Sequence, residues 1–301
     1  MAGLTGVVPV LEVPFREDES VDLAGFESVI ARTERAGADA LMFPAFASEF
    51  LKLSPGERAE LEELLVARAT VPVILAVQEH STKLAGLATR RAALLGASGV
   101  NVLPPHRLGV SGAAMRRHLE VVLESAGETP VIVQYAPAET GMSLGFGLIG
   151  DLAARFGNLW GVKVDSSPAG AAIAAVTALS ASAGREVHSA VGYAGLHLID
   201  GFDRGAVAVQ PGCSFTELYV TLWGMLSSGQ VDEAAAFHRR MLPWLAHWMQ
   251  GVELIVAVEK EISRRRGWFG SARVREPGYT LDRLEHERID RFLAEFSSEL
   301  G

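Results

Sequence analysis

Short apolar runs rich in β-branched residues alternate along the chain with longer segments whose apolar positions recur at helical spacing. The runs are Val7 to Val13, Ala40 to Pro44, Val71 to Val77, Val100 to Leu103, Val131 to Gln134, Leu159 to Val164, Val187 to Val191 and Ala206 to Gln210. Continuous apolar strands separated by helices mark a parallel sheet covered on both faces. Eight such units, spaced by about thirty residues, predict a closed (β/α)8 barrel of the TIM type.

The helical segments carry their own start and stop signals. Asp22 opens the first, and Ser54-Pro55-Gly56-Glu57 has the Ser-x-x-Glu spacing of a capping box. Ser81 and Ser111 precede two further amphipathic stretches, and Gly96, Gly127 and Gly157 stand where helices should stop. Residues 215–301 show helical periodicity and no strand signal. We expect a barrel over 1–214 and a helical extension over 215–301 packed on it as one compact unit.

Composition narrows the function classes. The 301 residues carry a net charge of -9, and the arginines are scattered through the helices without a basic stripe. Nucleic acid and anionic membrane surfaces are therefore poor partners, and a small-molecule substrate is expected. No stretch approaches the apolar length of a spanning helix, and the first fourteen residues lack the pattern of a leader, so a soluble cytoplasmic protein is expected. Cys213 is the only cysteine, which excludes an intrachain disulfide and a cysteine-built metal site. The eight histidines are dispersed without carboxylates at ligand spacing, so no metal is expected.

Barrel chemistry sits at the C-terminal ends of the strands. Lys163, near the end of the sixth run, is flanked by Val162 and Val164. Desolvation disfavours an ammonium, so a lysine in such a strand is a candidate amine nucleophile. The plainer alternative is an ion pair with Asp165, two residues on and on the same strand face. The other three lysines, Lys52, Lys83 and Lys260, lie in polar, helix-like surroundings where a solvated ammonium is expected. Around Lys163 the strand ends offer Gln134 and Tyr135 after the fifth strand, of which alternation lets only one face the amine, and His106 after the fourth. Gln210 to Ser214 gives a faint phosphate-loop pattern that reads better as a turn into a helix.

These residues resemble the dihydrodipicolinate synthase and N-acetylneuraminate lyase family over nearly the whole chain. Val13-Pro14-Phe15 with Val21-Asp22 is similar to the family's opening. Ser48-Glu49 and Leu53-Ser54 with Glu57-Arg58 resemble the segment after strand two, and Pro137 with Thr140-Gly141 resembles the loop after strand five. Gly161-Val162-Lys163 matches the motif of the Schiff-base lysine, and Arg275-Glu276-Pro277 the late Arg-x-Pro. The resemblance implies a class I lyase or aldolase: an imine between Lys163 and a 2-oxo acid such as pyruvate, with no metal or organic cofactor. It also implies a homo-oligomer, commonly a tetramer.

The departures from the family are specific. Its paired threonines, which bind the carboxylate of the keto acid, correspond to Phe46 and Ala47; Ser48 and backbone N–H groups are the substitutes on hand. The family's proton-relaying tyrosine falls on Gln134 in a gapless alignment, whereas a one-residue gap would return Tyr135 to that place. A second tyrosine is replaced by His106 or Pro105. The arginine that grips the second substrate's carboxylate becomes Glu139, which argues against lysine biosynthesis, and Gln210 replaces an apolar residue over the bound keto acid. Lys163, Gln134, Tyr135 and His106 are therefore the expected catalytic set, with Phe46, Ala47, Ser48, Glu139 and Gln210 as substrate contacts. Two other outcomes fit the same residues: a deoxy sugar acid dehydratase or hydratase-aldolase on imine chemistry, and a barrel that binds a keto acid without turnover.

Overall fold

The computed structural model describes residues 3–105, 109–141 and 143–301. Among these, eight strands follow the eight apolar runs: β1 (Gly6–Val7), β2 (Leu41–Phe43), β3 (Val73–Val77), β4 (Gly99–Val102), β5 (Val131–Tyr135), β6 (Leu159–Val164), β7 (His188–Val191) and β8 (Ala208–Val209). The helices between them are α1 (Leu23–Arg35), α2 (Pro55–Arg68), α3 (Thr82–Leu95), α4 (Gly112–Ala126), α5 (Pro137–Thr140), α6 (Phe146–Arg155), α7 (Gly170–Ala183) and α8 (Leu198–Asp203). After β8 come α9 (Thr216–Ser227), α10 (Val231–Trp248), α11 (Val252–Arg265) and α12 (Arg283–Glu295). No helix among the described residues is long and apolar enough to cross a membrane.

The capping signals act as their chemistry dictates. Ser54 accepts from the Glu57 backbone N–H while Glu57 accepts from the Ser54 N–H at 2.8 Å, so both orphan donors at the start of α2 are satisfied. Ser81 and Ser111 cap α3 and α4 one way only, accepting from the backbone N–H of Leu84 and of Ala114, and Gly96 ends α3 at φ +94°, where a Cβ would be strained.

By its internal contacts the chain divides into two compact units. The first comprises Met1–Gly6 with Pro72–Gln210, and the second Val7–Val71 with Pro211–Gly301. In the first unit β3 to β8 form a continuous parallel ladder in sequence order. Most of its strand residues are buried, as expected of strands covered on both faces.

One irregularity in that ladder sets the geometry of everything downstream. Val131 pairs with Leu159, but Ile132 pairs with Gly161, so Trp160 is an extra residue, a β-bulge. Gly161 takes φ +151°, and a Cβ there would fall 1.9 Å from the carbonyl oxygen of His188. Only glycine fits this strand crossing. Without the bulge Lys163 would lie opposite Tyr135; with it, Lys163 lies opposite Gln134.

The second unit holds an aromatic cluster in which Phe292 packs against Phe215, Trp248 and Phe296, with ring centroids 5.1–5.2 Å apart. Its α11 is buried at every position from Leu254 to Ser263. Lys260 on that helix is fully buried, contrary to the solvated ammonium expected from its polar neighbours. The charge is tolerated because it is matched: Lys260 Nζ pairs with Glu49, donates to the Arg273 carbonyl at 2.9 Å and lies 4.1 Å from the centre of the Phe15 ring. Glu49 also receives Lys52 at 3.0 Å and the Arg275 backbone N–H at 3.1 Å. Arg275, the arginine of the late Arg-x-Pro, lies 4.3 Å from the centre of the Phe15 ring and binds Glu57, whose carboxyl it holds down at a pKa of about 2.

Two further carboxyls are buried in this unit beside the lone cysteine. Burial, followed by the Coulomb repulsion between them in the case of Glu259, raises Glu12 to about 7 and Glu259 to about 8. Glu12 accepts from Ser263, and Glu259 lies so close to Gly212 that a Cβ there would fall 1.9 Å from a carboxylate oxygen. Cys213 is fully buried, and burial next to these two groups pushes its thiol well above the usual range.

Gly161→Ala should cost about 3 kcal/mol or more, since the added Cβ meets backbone that cannot yield; urea unfolding measures it, and a cost below about 1 kcal/mol would show that the bulge relaxes. The acid pair sets a pH dependence. Both carboxyls bind protons more tightly folded than in their ordinary state near 4.5, so their contribution is complete at low pH and is lost as pH rises through about 7 to 8. The unfolding midpoint should therefore fall between about pH 5 and pH 9, and Glu12→Gln with Glu259→Gln should flatten that fall; a wild-type midpoint that rises over this window contradicts the sign.

Candidate active site

Lys163 stands at the C-terminal end of β6, 4 % exposed, at the same level of the ladder as Gln134 on β5 and Ala190 on β7. Its ammonium lies 3.5 Å from Asp165 Oδ2. Residues paired across parallel strands share a face, so Lys163, Gln134, Ala190 and Ala208 point to one side of the sheet, and Asp165 and Gln210, each two residues further on, point to the same side.

A chain of polar side chains crosses this face. Asn101 on β4 donates from Nδ2 to Gln134 Oε1 at 2.9 Å, and Gln134 donates from Nε2 to Asp165 Oδ2 at 2.7 Å. The direction of both amides is dictated by its end: a carboxylate only accepts, so Gln134 must present its NH2 to Asp165 and its carbonyl to Asn101. Asp165 Oδ1 accepts from the Tyr193 backbone N–H at 3.0 Å. Gly192 makes room for it, since a Cβ there would fall 1.7 Å from Oδ1. The carboxylate is thereby held from both sides with Oδ2 toward the lysine.

Tyr193 is fixed at both ends. It and Ala194 take φ +49°, a left-handed conformation unfavourable for residues with a Cβ. Its hydroxyl donates to Glu139 Oε1 at 2.8 Å. Burial, then the bond to Glu139 and the charge of Asp165, raise the phenol well above its ordinary value, so it stays a proton donor to Glu139.

The expected site residues fall into distinct places. Lys163 and Gln134 are brought together with Asp165. Tyr135, opposite Val164, lies on the other face and packs edge-on against Phe146 of α6 at 5.2 Å. Glu139, on α5, is engaged by Tyr193. Gln210 is 2 % exposed, and neither its amide oxygen nor its nitrogen has a hydrogen-bond partner among the described residues. His106 lies outside the described residues. Phe46, Ala47 and Ser48 belong to the second unit, where they form a tight 3-10 turn after β2. Ser48 does not offer the free hydroxyl the sequence suggested: it donates to the Leu11 carbonyl at 2.5 Å and accepts from the Ala45 N–H at 3.0 Å.

The sequence places Tyr193 and Asp165 at strand ends near Lys163 and suggests for Asp165 a plain ion pair, but it assigns Tyr193 no role and passes over Asn101. Asn101 carries a usable signal, a lone amide inside the apolar run Gly99–Val102, since a buried polar side chain needs a partner.

Residues 3–295 match the Dihydrodipicolinate synthetase family. The chain spans about half the length of the first curated relatives it matches; 4-hydroxy-tetrahydrodipicolinate synthase of Methanococcoides burtonii is 28% identical over 158 residues, 52% of this chain and 54% of that protein. L-2-keto-3-deoxyarabonate dehydratase of Azospirillum brasilense is 25% identical over 280 residues, 90% of this chain and 88% of that one. Among solved structures, YagE of E. coli K12 in complex with pyruvate superposes with a TM-score of 0.88 at 25% identity, covering 98% of this chain and 99% of its own. That likeness shows the (β/α)8 barrel expected from the apolar runs. With a family match over nearly its whole length, the chain belongs to the Dihydrodipicolinate synthetase family.

Proposed function

We propose that this protein is a class I lyase acting on a 2-oxo acid through a Schiff base on Lys163, making or breaking a bond on the carbon chain of the keto acid. The observation that carries this reading is the placement of Lys163: a buried primary amine at a strand end, paired with one carboxylate and lying on the polar face of the sheet. Attack of the neutral amine on the ketone and loss of water give an imine, and the proton that the lysine ammonium gave up to become the nucleophile returns to the nitrogen to make the iminium. Its positive nitrogen then accepts the electron pair released when a neighbouring bond breaks. Family membership supports the same chemistry, and so does a structural neighbour solved in complex with pyruvate.

Glu139 argues against synthesis of 4-hydroxy-tetrahydrodipicolinate. By the family resemblance this position holds an arginine for the second substrate's carboxylate, and here it holds a carboxyl engaged by Tyr193. A like charge at that point disfavours an anionic partner. Gln210, with both polar atoms unused on the face of Lys163, suits a substrate that carries hydroxyl groups, for which its amide offers a donor and an acceptor.

A second reading keeps the imine but ends in loss of water. The Azospirillum relative, which aligns over nearly its full length, is named a dehydratase of a keto-deoxy sugar acid. The two readings differ in carbon count. Aldol cleavage of a 2-keto-3-deoxy sugar acid gives two shorter products; dehydration gives one product with every carbon kept.

Borohydride reduction in the presence of pyruvate, or of a 2-keto-3-deoxy sugar acid, should add the mass of the reduced keto acid to the Lys163 peptide. No adduct with any 2-oxo acid would falsify the Schiff-base reading. Lys163→Ala should lose turnover by about 10³-fold or more, as expected when a nucleophile is removed. Product analysis by mass spectrometry then separates cleavage from dehydration.

A further inference from the structure

An iminium on Lys163 makes the adjacent C–H bond acidic, but a base must still take the proton. By the family resemblance the proton carrier should stand where this chain has Gln134, and a primary amide is too weak an acid and too weak a base to relay protons near neutral pH. Tyr135 lies on the other face of the sheet, and the phenol of Tyr193 is committed to Glu139. Among the described residues, the group that remains within reach of the amine is the carboxylate of Asp165.

We propose that Asp165 is the catalytic base of this protein, taking the proton from the carbon next to the imine carbon of the bound 2-oxo acid. The proposal rests on the Schiff-base reading of Lys163. Asp165 Oδ2 stands 3.5 Å from the lysine nitrogen, and the carbon in question is only two bonds from that nitrogen, one beyond the imine carbon. Oδ2 accepts one hydrogen bond from Gln134 and retains a further lone pair. The Tyr193 N–H, the missing Cβ of Gly192 and the Asn101–Gln134 chain all serve to hold this one carboxylate in place. The left-handed backbone at Tyr193 and Ala194 is consistent with the same demand, since strained conformations persist where the surroundings require them.

The electrons balance without a co-reactant. The C–H bond breaks, its pair becomes the new carbon–carbon double bond, and the pair of the carbon–nitrogen double bond moves to the Lys163 nitrogen. Asp165 becomes the neutral acid and returns its proton to the same carbon, or to a leaving hydroxyl when water is lost. Gln134 and Asn101 are positioning residues, acting only through Asp165.

The test uses the full chain with pyruvate as the probe, in heavy water. Two signals are read: deuterium entering the methyl group by NMR, and the borohydride adduct on Lys163 by mass spectrometry. Asp165→Asn is nearly isosteric. Its new NH2 is accommodated if Gln134 and Asn101 each turn their amides over, because the Asn101 carbonyl oxygen is unpartnered among the described residues. This variant should keep the adduct within about twofold while deuterium exchange falls by about 10²- to 10⁴-fold, the range of general acid–base catalysis. Gly192→Ala, which displaces the carboxylate without removing it, should show the same split and serves if Asp165→Asn does not fold. Exchange within about threefold of wild type in either folded variant overturns the proposal and leaves the Schiff-base reading standing. Loss of the adduct in a folded Asp165→Asn also overturns it, assigning Asp165 to imine formation instead. Absence of any adduct on the wild-type Lys163 is the separate outcome in which the underlying reading fails.

Discussion

A buried ammonium is tolerable only beside a carboxylate that is itself held in place, and this constraint organises both halves of the chain. In one unit Lys163 faces Asp165; in the other Lys260 faces Glu49. Removing either partner from such a pair leaves an uncompensated charge, which is far costlier than the pair itself. The two pairs differ in what completes them. Glu49 is enclosed by cations, with Lys52 and a backbone N–H adding to Lys260, so its role is to bind segments together. Asp165 is fixed by neutral donors and keeps a lone pair toward a lysine that has no other carboxylate against it among the described residues. The first arrangement is closed, whereas the second leaves chemistry available.

The bulge at Trp160 connects local backbone to this electrostatic arrangement. One extra residue in β6 moves Lys163 by a single register step and so changes its cross-strand neighbour from an aromatic to an amide. The amide then passes the directional demand of Asp165 on to Asn101. A backbone feature fixed by one glycine thus decides which side chains share a face with the nucleophile, and in which orientation.

The apolar runs made the strands and their parallel arrangement readable, because period and length are properties of the residues themselves. Lys163 was equally plain, as a cation among valines with the Gly-Val-Lys motif around it. The choice between Gln134 and Tyr135 was not readable, since it turns on a bulge that leaves the spacing of apolar residues unchanged. Lys260 was misread for a related reason: Glu259-Lys260-Glu261 looks solvated as a string, and only the packing of α11 shows that its charges are matched inside the unit. Ser48 looked free because nothing in the sequence announces that Leu11 would claim its proton. Partners distant in sequence are what a single chain conceals.

The environment of Cys213 has a consequence for reactivity. A thiol enclosed by two carboxyls and held above its ordinary pKa forms almost no thiolate, and the thiolate is the species that attacks electrophiles and oxidants. The protein's one thiol is therefore silent as long as its unit stays closed. Any modification at that position reports an opening of the unit, so that Cys213 amounts to a built-in clock for the local unfolding of the half of the chain that does not carry Lys163.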